Sequence, residues 1–506
     1  LVIEALAIAV ATLYALAMVV LVGFGAHLGL LAIAGGRRVK TPCPGQVAVV
    51  SVRPDMPSSR DDWPRVTVQI PLYNEQLVAE RIIGAACRFD YPADRLHIQV
   101  LDDSTDETGT IVSRCVAEWA GRGVHIDHVR RPHREGYKAG ALAHGLERSI
   151  AEFVAVLDAD FVPDPDFLVR LLPLFDDDVG LVQARWGHLN EHESLLTRVQ
   201  AFGLDAHFNV EQRMRQALGC FINFNGTAGI WRRTAIDEAG GWESDTLTED
   251  LDLSYRAQLC GWRLRYDADT AVPAELPVSV NAFRTQQHRW TKGGVQTAVK
   301  TLGRLWSSDV PLPARLEGTV HLTANMVFPF ILLASLLHGP LLWLSARGLG
   351  PGPVYFGVLA AGLVGFFGFF WAHVVSQRTL HTDWFRRLVL FPVFLAGSVG
   401  ISLSNSIGVW EVVRGRHTPF NRTPKFSGGR RAPARWWTLP YARLRAPRVV
   451  WAELMLGAWS LVWLVELILL RQWMGVGFQF LFASGFLFVA VYNLAQTFIP
   501  SRNDAR

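Results

Sequence analysis

Residues 5–36 contain no Asp, Glu, Lys or Arg, and further long apolar runs follow at about 322–345, 354–376, 449–470 and 476–497. About 20 consecutive apolar residues suffice for a helix to cross a bilayer. A chain with such runs on both sides of a polar middle must fold around a membrane. The first run is bounded by Glu4 and by Arg37, Arg38 and Lys40. It lacks a basic start and exceeds the apolar core of a signal peptide, so a retained anchor is expected. Residues 41–316 have the composition of a soluble domain and are numerous enough to bury their own core.

Residues 388–413 form a further apolar stretch, preceded by Arg386 and Arg387. From Arg414 to Arg448 there are ten Lys or Arg residues and no Asp or Glu. Basic flanks favour the cytoplasm, which puts both ends of 388–413 on that side. The stretch therefore reads as interfacial or re-entrant, with a sixth span as the alternative. The expected layout is an anchor at 1–40, a cytoplasmic domain at 41–316 with interfacial helices near 281–306, and a membrane hairpin at 317–377. An interfacial helix with a basic loop follows at 384–448, then a second hairpin with a short tail at 449–506. Glu466 lies inside the apolar run 449–470, where an acid faces either a protein partner or a watery path. Five scattered cysteines with no CxxC pair exclude a zinc ribbon or a disulfide framework. No basic tract in the soluble part suggests nucleic acid.

Three short β-rich runs each end in a polar cluster: VTVQI then PLYNE (66–75), HIQVL then DDSTDET (97–108), and FVAVL then DAD (153–160). Helical patterns at 77–89 and 110–121 separate them, which gives βαβ units and an α/β domain with a mostly parallel sheet. Ligands of open α/β sheets bind at the carboxyl ends of the strands, where these clusters fall. Asp158 and Asp160, two apart in an extended segment, point the same way and can share a divalent cation. Asp102 and Asp103 are either helix caps or acceptors for a nucleoside. Lys138, in a Gly-flanked turn that opens a helix, suits a phosphate or is a solvated lysine. In TLTEDLDL, Thr248 with Glu249 and Asp250 is either an N-cap with a favourable acidic first turn or a catalytic carboxylate beside a metal-bound phosphate. On a helix, Gln286, Arg289 and Trp290 of QQHRW share one face, presenting an amide, a guanidinium and an indole. A basic helix lying on lipid is the alternative.

The ordered series PLYNE, VLDDSTDET, GYKAGAL, DAD, VQARWGHLN, FNGTAGIWRR, TED and QQHRW resembles the processive inverting family 2 glycosyltransferases. Through VQARW, LLTRVQ, FNGTAGIWRR, EAGGW and QQHRW it is most similar to plant cellulose-synthase-like proteins that make mannan, glucomannan and the xyloglucan backbone. The resemblance is strong over residues 60–300 and implies a GT-A type nucleotide-sugar transferase domain set between transmembrane helices. It implies that Tyr73, Glu75, Asp102 and Asp103 bind the nucleoside, with Lys138 near the base or phosphate. It further implies that Asp158 and Asp160 bind Mg2+ or Mn2+, Asp160 foremost, and that Asp250 is the general base. Gln286 and Arg289 would contact the donor pyrophosphate, and Trp290 would stack on the acceptor sugar. Phe420, Thr423 and Lys425 fall in a segment similar to the FxVTxK gating loop, with Arg422 where that pattern has Val.

The resulting expectation is a multi-pass protein of the plasma (inner) membrane. It would transfer a hexose from UDP-glucose or GDP-mannose to a growing β-1,4-linked polysaccharide and pass the polymer through its own spans. Two rivals remain: a non-processive transferase acting on a lipid acceptor, and a polysaccharide exporter with an inactive transferase domain.

Overall fold

The computed structural model describes residues 2–38, 57, 59, 62–416, 418, 422–426 and 446–497. The soluble part is built on seven strands: β1 (Val66–Leu72), β2 (Leu96–Asp102), β3 (Ile126–Arg130), β4 (Phe153–Val156), β5 (Val179–His188), β6 (Gly229–Arg232) and β7 (Arg263–Ala274). They form one sheet in the order β3-β2-β1-β4-β6-β5-β7. The three expected runs are β1, β2 and β4, and β1 pairs in parallel with both of the others. β6 alone runs against its neighbours, pairing antiparallel with β4 and β5, while β5 and β7 are parallel. One reversal therefore brings the carboxyl ends of β1, β2, β4, β5 and β7 and the amino end of β6 to a single edge.

Both faces of the sheet are covered, so the central strands read as apolar runs rather than as half-polar alternation. Val66, Val68 and Ile70 of β1 pack with Ile82 and Ile83 of the Ala79–Ala86 helix and Val112 of the Thr108–Gly121 helix. On the other face Val154, Val156 and Trp231 pack with Leu142 and Leu253. Each such side chain contributes about 1.5–3 kcal/mol when fully buried. The domain thus has its own core, which keeps the strand ends rigid enough to carry a site.

Among the described residues six helices are long and apolar enough to cross a membrane: Val2–Arg37, Leu312–Ala346, Pro353–Leu380, Trp384–Val413, Val449–Leu469 and Trp473–Thr497. The first packs closely on the third, because a Cβ on Gly25 would lie 2.5 Å or less from backbone of Gly365 and one on Gly29 would lie 2.5 Å from Gly368 Cα. Small residues let membrane helices approach to backbone contact in this way. The stretch read as interfacial is a continuous helix, Leu390–Val413, which length and composition make the sixth candidate. Both of its ends are nonetheless tied to the soluble domain. Just before it Arg387 pairs with Glu191 at 2.5 Å, and near its end Glu411 pairs with Lys292 at 2.8 Å.

QQHRW lies in one 27-residue helix, Val280–Trp306. Its Thr291–Val295 segment is buried, and a Cβ on Gly293 would meet the Thr248 side chain at 2.6 Å. At that level one face of the helix rests on protein.

Candidate active site

The strand-end loops are laced together before any ligand is considered. In PLYNE, Asn74 takes a left-handed conformation (φ 56°), which Asn tolerates better than most side chains. Its backbone N–H donates to Ser104 Oγ at 2.8 Å, and its side-chain oxygen accepts from the Thr105 N–H at 2.9 Å. The loops after β1 and β2 therefore move as one wall. Tyr73 presents its ring to this wall, with the Arg134 guanidinium 3.4 Å from the ring centroid.

The two adjacent acids after β2 have separate jobs. Asp102 is buried, accepting from the Ser104 N–H at 2.8 Å and bonded to His128 Nε2 at 2.9 Å, and it does not line the crevice. Its two carboxylate oxygens serve the loop, Oδ1 toward Ser104 and Oδ2 toward His128. Asp103 does line the crevice, held in a bidentate pair by Arg131. Neither acid caps a helix, since the next one starts at Thr108 with no side-chain cap bond.

Lys138 is a half-buried hub rather than a solvated lysine. Its ammonium lies 2.6 Å from Asp158 Oδ1 and 3.8 Å from Glu249, and donates to the Gly226 carbonyl at 2.8 Å. Burial works against its charge, but Asp158 and Glu249 outweigh that and raise its pKa. Asp160, two residues on, pairs with Lys425 at 2.5 Å. The two DAD acids thus face the same crevice but hold different ammoniums.

Thr248 makes no cap bond at the start of the Glu249–Leu259 helix. Its hydroxyl instead lies 3.2 Å from Thr297 Oγ1, and the Leu247 N–H donates to Gln296 Oε1 at 3.0 Å. TED is thereby pinned to the QQHRW helix. Asp250 has its pKa raised to about 7, chiefly by burial and then by Glu249, against the opposing pull of Lys138. A carboxyl poised near neutrality suits a proton acceptor. Gly226, at φ 82°, brings the FNGTAG loop so close that a Cβ there would lie 2.9 Å from Asp250 Oδ2.

Gln286, Arg289 and Trp290 line the crevice opposite, as their helical spacing requires. The Trp290 ring lies 6.4 Å from that of Trp186 on β5. Thr423 and Lys425 enter the same crevice, whereas Phe420 lies outside the described residues. Arg422 pairs with Glu75 at 2.5 Å, and the Phe426 N–H donates to Glu275 Oε2 at 3.1 Å. Burial pushes Glu75 up to about 7, with Arg422 opposing it. Glu275, which also binds Arg81 at 2.7 Å, was not foreseen. It sits one residue past β7, a strand that the sequence analysis does not mark.

The donor set fits a hard divalent cation, since Asp158 and Asp160 offer carboxylate oxygens to one crevice and each already attracts an ammonium there. Two other groups with ligand spacing, His97 with His125 and Asp127, and Glu243 with Asp245 and Asp252, do not line the crevice.

Residues 64–293 match the family described as Glycosyltransferase like family 2. Residues 64–293 are thus similar to a family 2 glycosyltransferase domain. The chain also has curated plant relatives. The chain is 51% identical over 238 residues to glucomannan 4-beta-mannosyltransferase 2 of Arabidopsis thaliana, covering 46% of this chain and 45% of that protein. It is 49% identical over 237 residues to glucomannan 4-beta-mannosyltransferase 1 of Oryza sativa subsp. japonica, covering 46% of each. The chain spans about half the length of the curated relatives it matches. Among solved structures, a mannosyltransferase from Pyrobaculum calidifontis in complex with GDP-Man and Mn2+ has a TM-score of 0.52 at 22% identity, covering 81% of this chain and 99% of that one. That likeness is one of fold, and the fold is GT-A.

Proposed function

We propose that this protein is a membrane-embedded, inverting β-1,4-glycosyltransferase that elongates a mannan or glucomannan from GDP-mannose and delivers it across the membrane. The observation that carries the reading is the position of Asp250. It shares one crevice with Asp158 and Asp160 at the strand ends and with Gln286, Arg289 and Trp290 on the helix that leads toward the spans. The likeness to plant glucomannan mannosyltransferases favours GDP-mannose over UDP-glucose as donor.

In this mechanism Tyr73, Glu75 and Asp103 bound the nucleoside end of the crevice, and Lys138, Gln286 and Arg289 face the diphosphate. Trp290 holds the terminal sugar of the acceptor by stacking. Asp250 accepts the proton of the attacking 4-hydroxyl as its oxygen bonds to the anomeric carbon. Attack opposite the departing nucleoside diphosphate inverts the configuration, and no second carboxylate is needed because the leaving group is already a good one. A divalent cation held by Asp158 and Asp160 supplies charge stabilisation to the departing phosphate oxygens when bound. Thr423 and Lys425 of the basic loop close over the donor. The basic flanks support a cytoplasmic catalytic domain; the plasma membrane as location and the spans as the polymer's exit belong to the same proposal.

The test is to supply the purified protein with GDP-mannose or UDP-glucose and Mg2+ or Mn2+, then digest the product with a β-1,4-mannanase or a β-1,4-glucanase. A long, mannanase-sensitive product is expected. Transfer of a single sugar to a lipid, or no donor turnover, would overturn the reading.

A further inference from the structure

QQHRW is bracketed by two ion pairs, one buried and one half-buried, that no step of the reaction uses. Six residues before Trp290, Arg284 donates to Glu453 Oε2 at 2.7 Å, with the two side chains 6% and 0% exposed. Glu453 belongs to the apolar Val449–Leu469 helix. The contact is reinforced because Arg284 also donates to Asn281 Oδ1 at 2.9 Å, and Asn493 of the Trp473–Thr497 helix donates to the same oxygen at 2.6 Å. Two residues after Trp290, Lys292 has a fully buried side chain. Its ammonium donates to Glu411 Oε2 at 2.8 Å, to the Arg416 carbonyl at 2.7 Å and to Thr418 Oγ1 at 2.9 Å. Glu411 ends the Leu390–Val413 helix, and Arg416 and Thr418 begin the loop that returns to the crevice at Arg422.

Buried charges are costly to desolvate, and well-packed apolar residues usually serve stability as well or better. A paired charge does fix direction and register, which apolar packing does not. We propose that Arg284 and Lys292 are positioning residues. Arg284, through Glu453, sets Trp290 against the spans, and Lys292, through Glu411, sets it against the stem of the crevice loop. The inference rests on the polymerase reading above and deepens it. Displacement of an acceptor platform by about 1 Å can cost 10²-fold in transfer. It leaves attack by water on the donor untouched, because water needs no platform.

The experiment compares Glu453→Gln and Glu411→Gln with the wild type in detergent or nanodiscs. It measures sugar transfer to polymer, release of free sugar from GDP-mannose, and product length. In each variant the ratio of transfer to hydrolysis is expected to fall about tenfold or more, with shorter products. Glu453→Asp and Glu411→Asp should recover much of the ratio. Should Glu453→Gln fail to fold, Glu411→Gln carries the test from the more exposed pair. Transfer and hydrolysis falling in equal proportion, or a ratio unchanged from wild type, would overturn the positioning role. A wild type that neither transfers nor hydrolyses would instead overturn the polymerase reading itself.

Discussion

Lys425 sits 2.5 Å from Asp160 Oδ2, an ammonium on the carboxylate that the fold offers to a cation. Both side chains are nearly buried; burial disfavours the charge on Lys425, but Asp160, with Glu75 and Glu275, raises its pKa overall. A divalent cation binding at Asp160 must therefore compete with a tethered one. Lys425→Met is expected to lower the half-saturating Mn2+ concentration several-fold. It should also lower kcat, because the ammonium that metal binding would release toward the diphosphate is gone. A metal titration of donor turnover checks both, and an unchanged midpoint would separate Lys425 from the metal site.

Asp250 should govern the pH profile. A base acts in its deprotonated form, so transfer should rise with pH along a limb centred near 7, the value to which burial and Glu249 push this carboxyl. Lys138 lowers it, so Lys138→Met should move the limb to higher pH. Asp250→Asn should reduce transfer by roughly 10²–10⁴-fold while donor binding persists. Calorimetry with GDP-mannose alongside rate measurements reads the two separately.

Trp290→Ala tests the acceptor platform. Elongation should fall at least about tenfold, while hydrolysis of the donor stays within about twofold, as expected when a contact orients one reactant alone. Equal loss of both would remove the indole from acceptor binding. Trp186, whose ring lies 6.4 Å away, should give a weaker effect of the same kind when changed to Leu.

Gly226→Ala probes the closeness of the FNGTAG loop to the base. The left-handed conformation costs a side-chain-bearing residue about 1–2 kcal/mol. The added methyl would also press on Asp250 Oδ2 from 2.9 Å. Transfer should drop more than that small loss of stability explains, which a thermal melt and a rate measurement together decide.

Much of this arrangement was written locally. PLYNE, DDST and DAD follow apolar runs, and in parallel strands buried on both faces such runs end where ligands bind. Helical spacing was enough to put Gln286, Arg289 and Trp290 on one wall. What stayed hidden depended on pairing between distant segments. The antiparallel insertion of β6, which delivers FNGTAG to the base, leaves no periodic trace. Glu275 reads as an ordinary acid until β7 is known to end beside it. Lys292 and Arg284 look like solvated charges on an amphipathic helix until their acids arrive from Glu411 and Glu453, more than a hundred residues on. Asp102 shows the opposite difficulty, since adjacent acids look equivalent in sequence and only the fold assigns one to the loop and the other to the crevice.

The contact between Thr248 and Thr297 fastens the segments that carry Asp250 and Trp290 to one another. In the proposed reaction neither residue can travel with a lengthening chain, so after every addition the new end would have to slide past both by one sugar. The stride of such a machine is then the length of its own product's repeat. In the proposed reaction the segment from Arg422 to Phe426, held to the crevice by contacts at Glu75, Asp160 and Glu275, would act as its pawl.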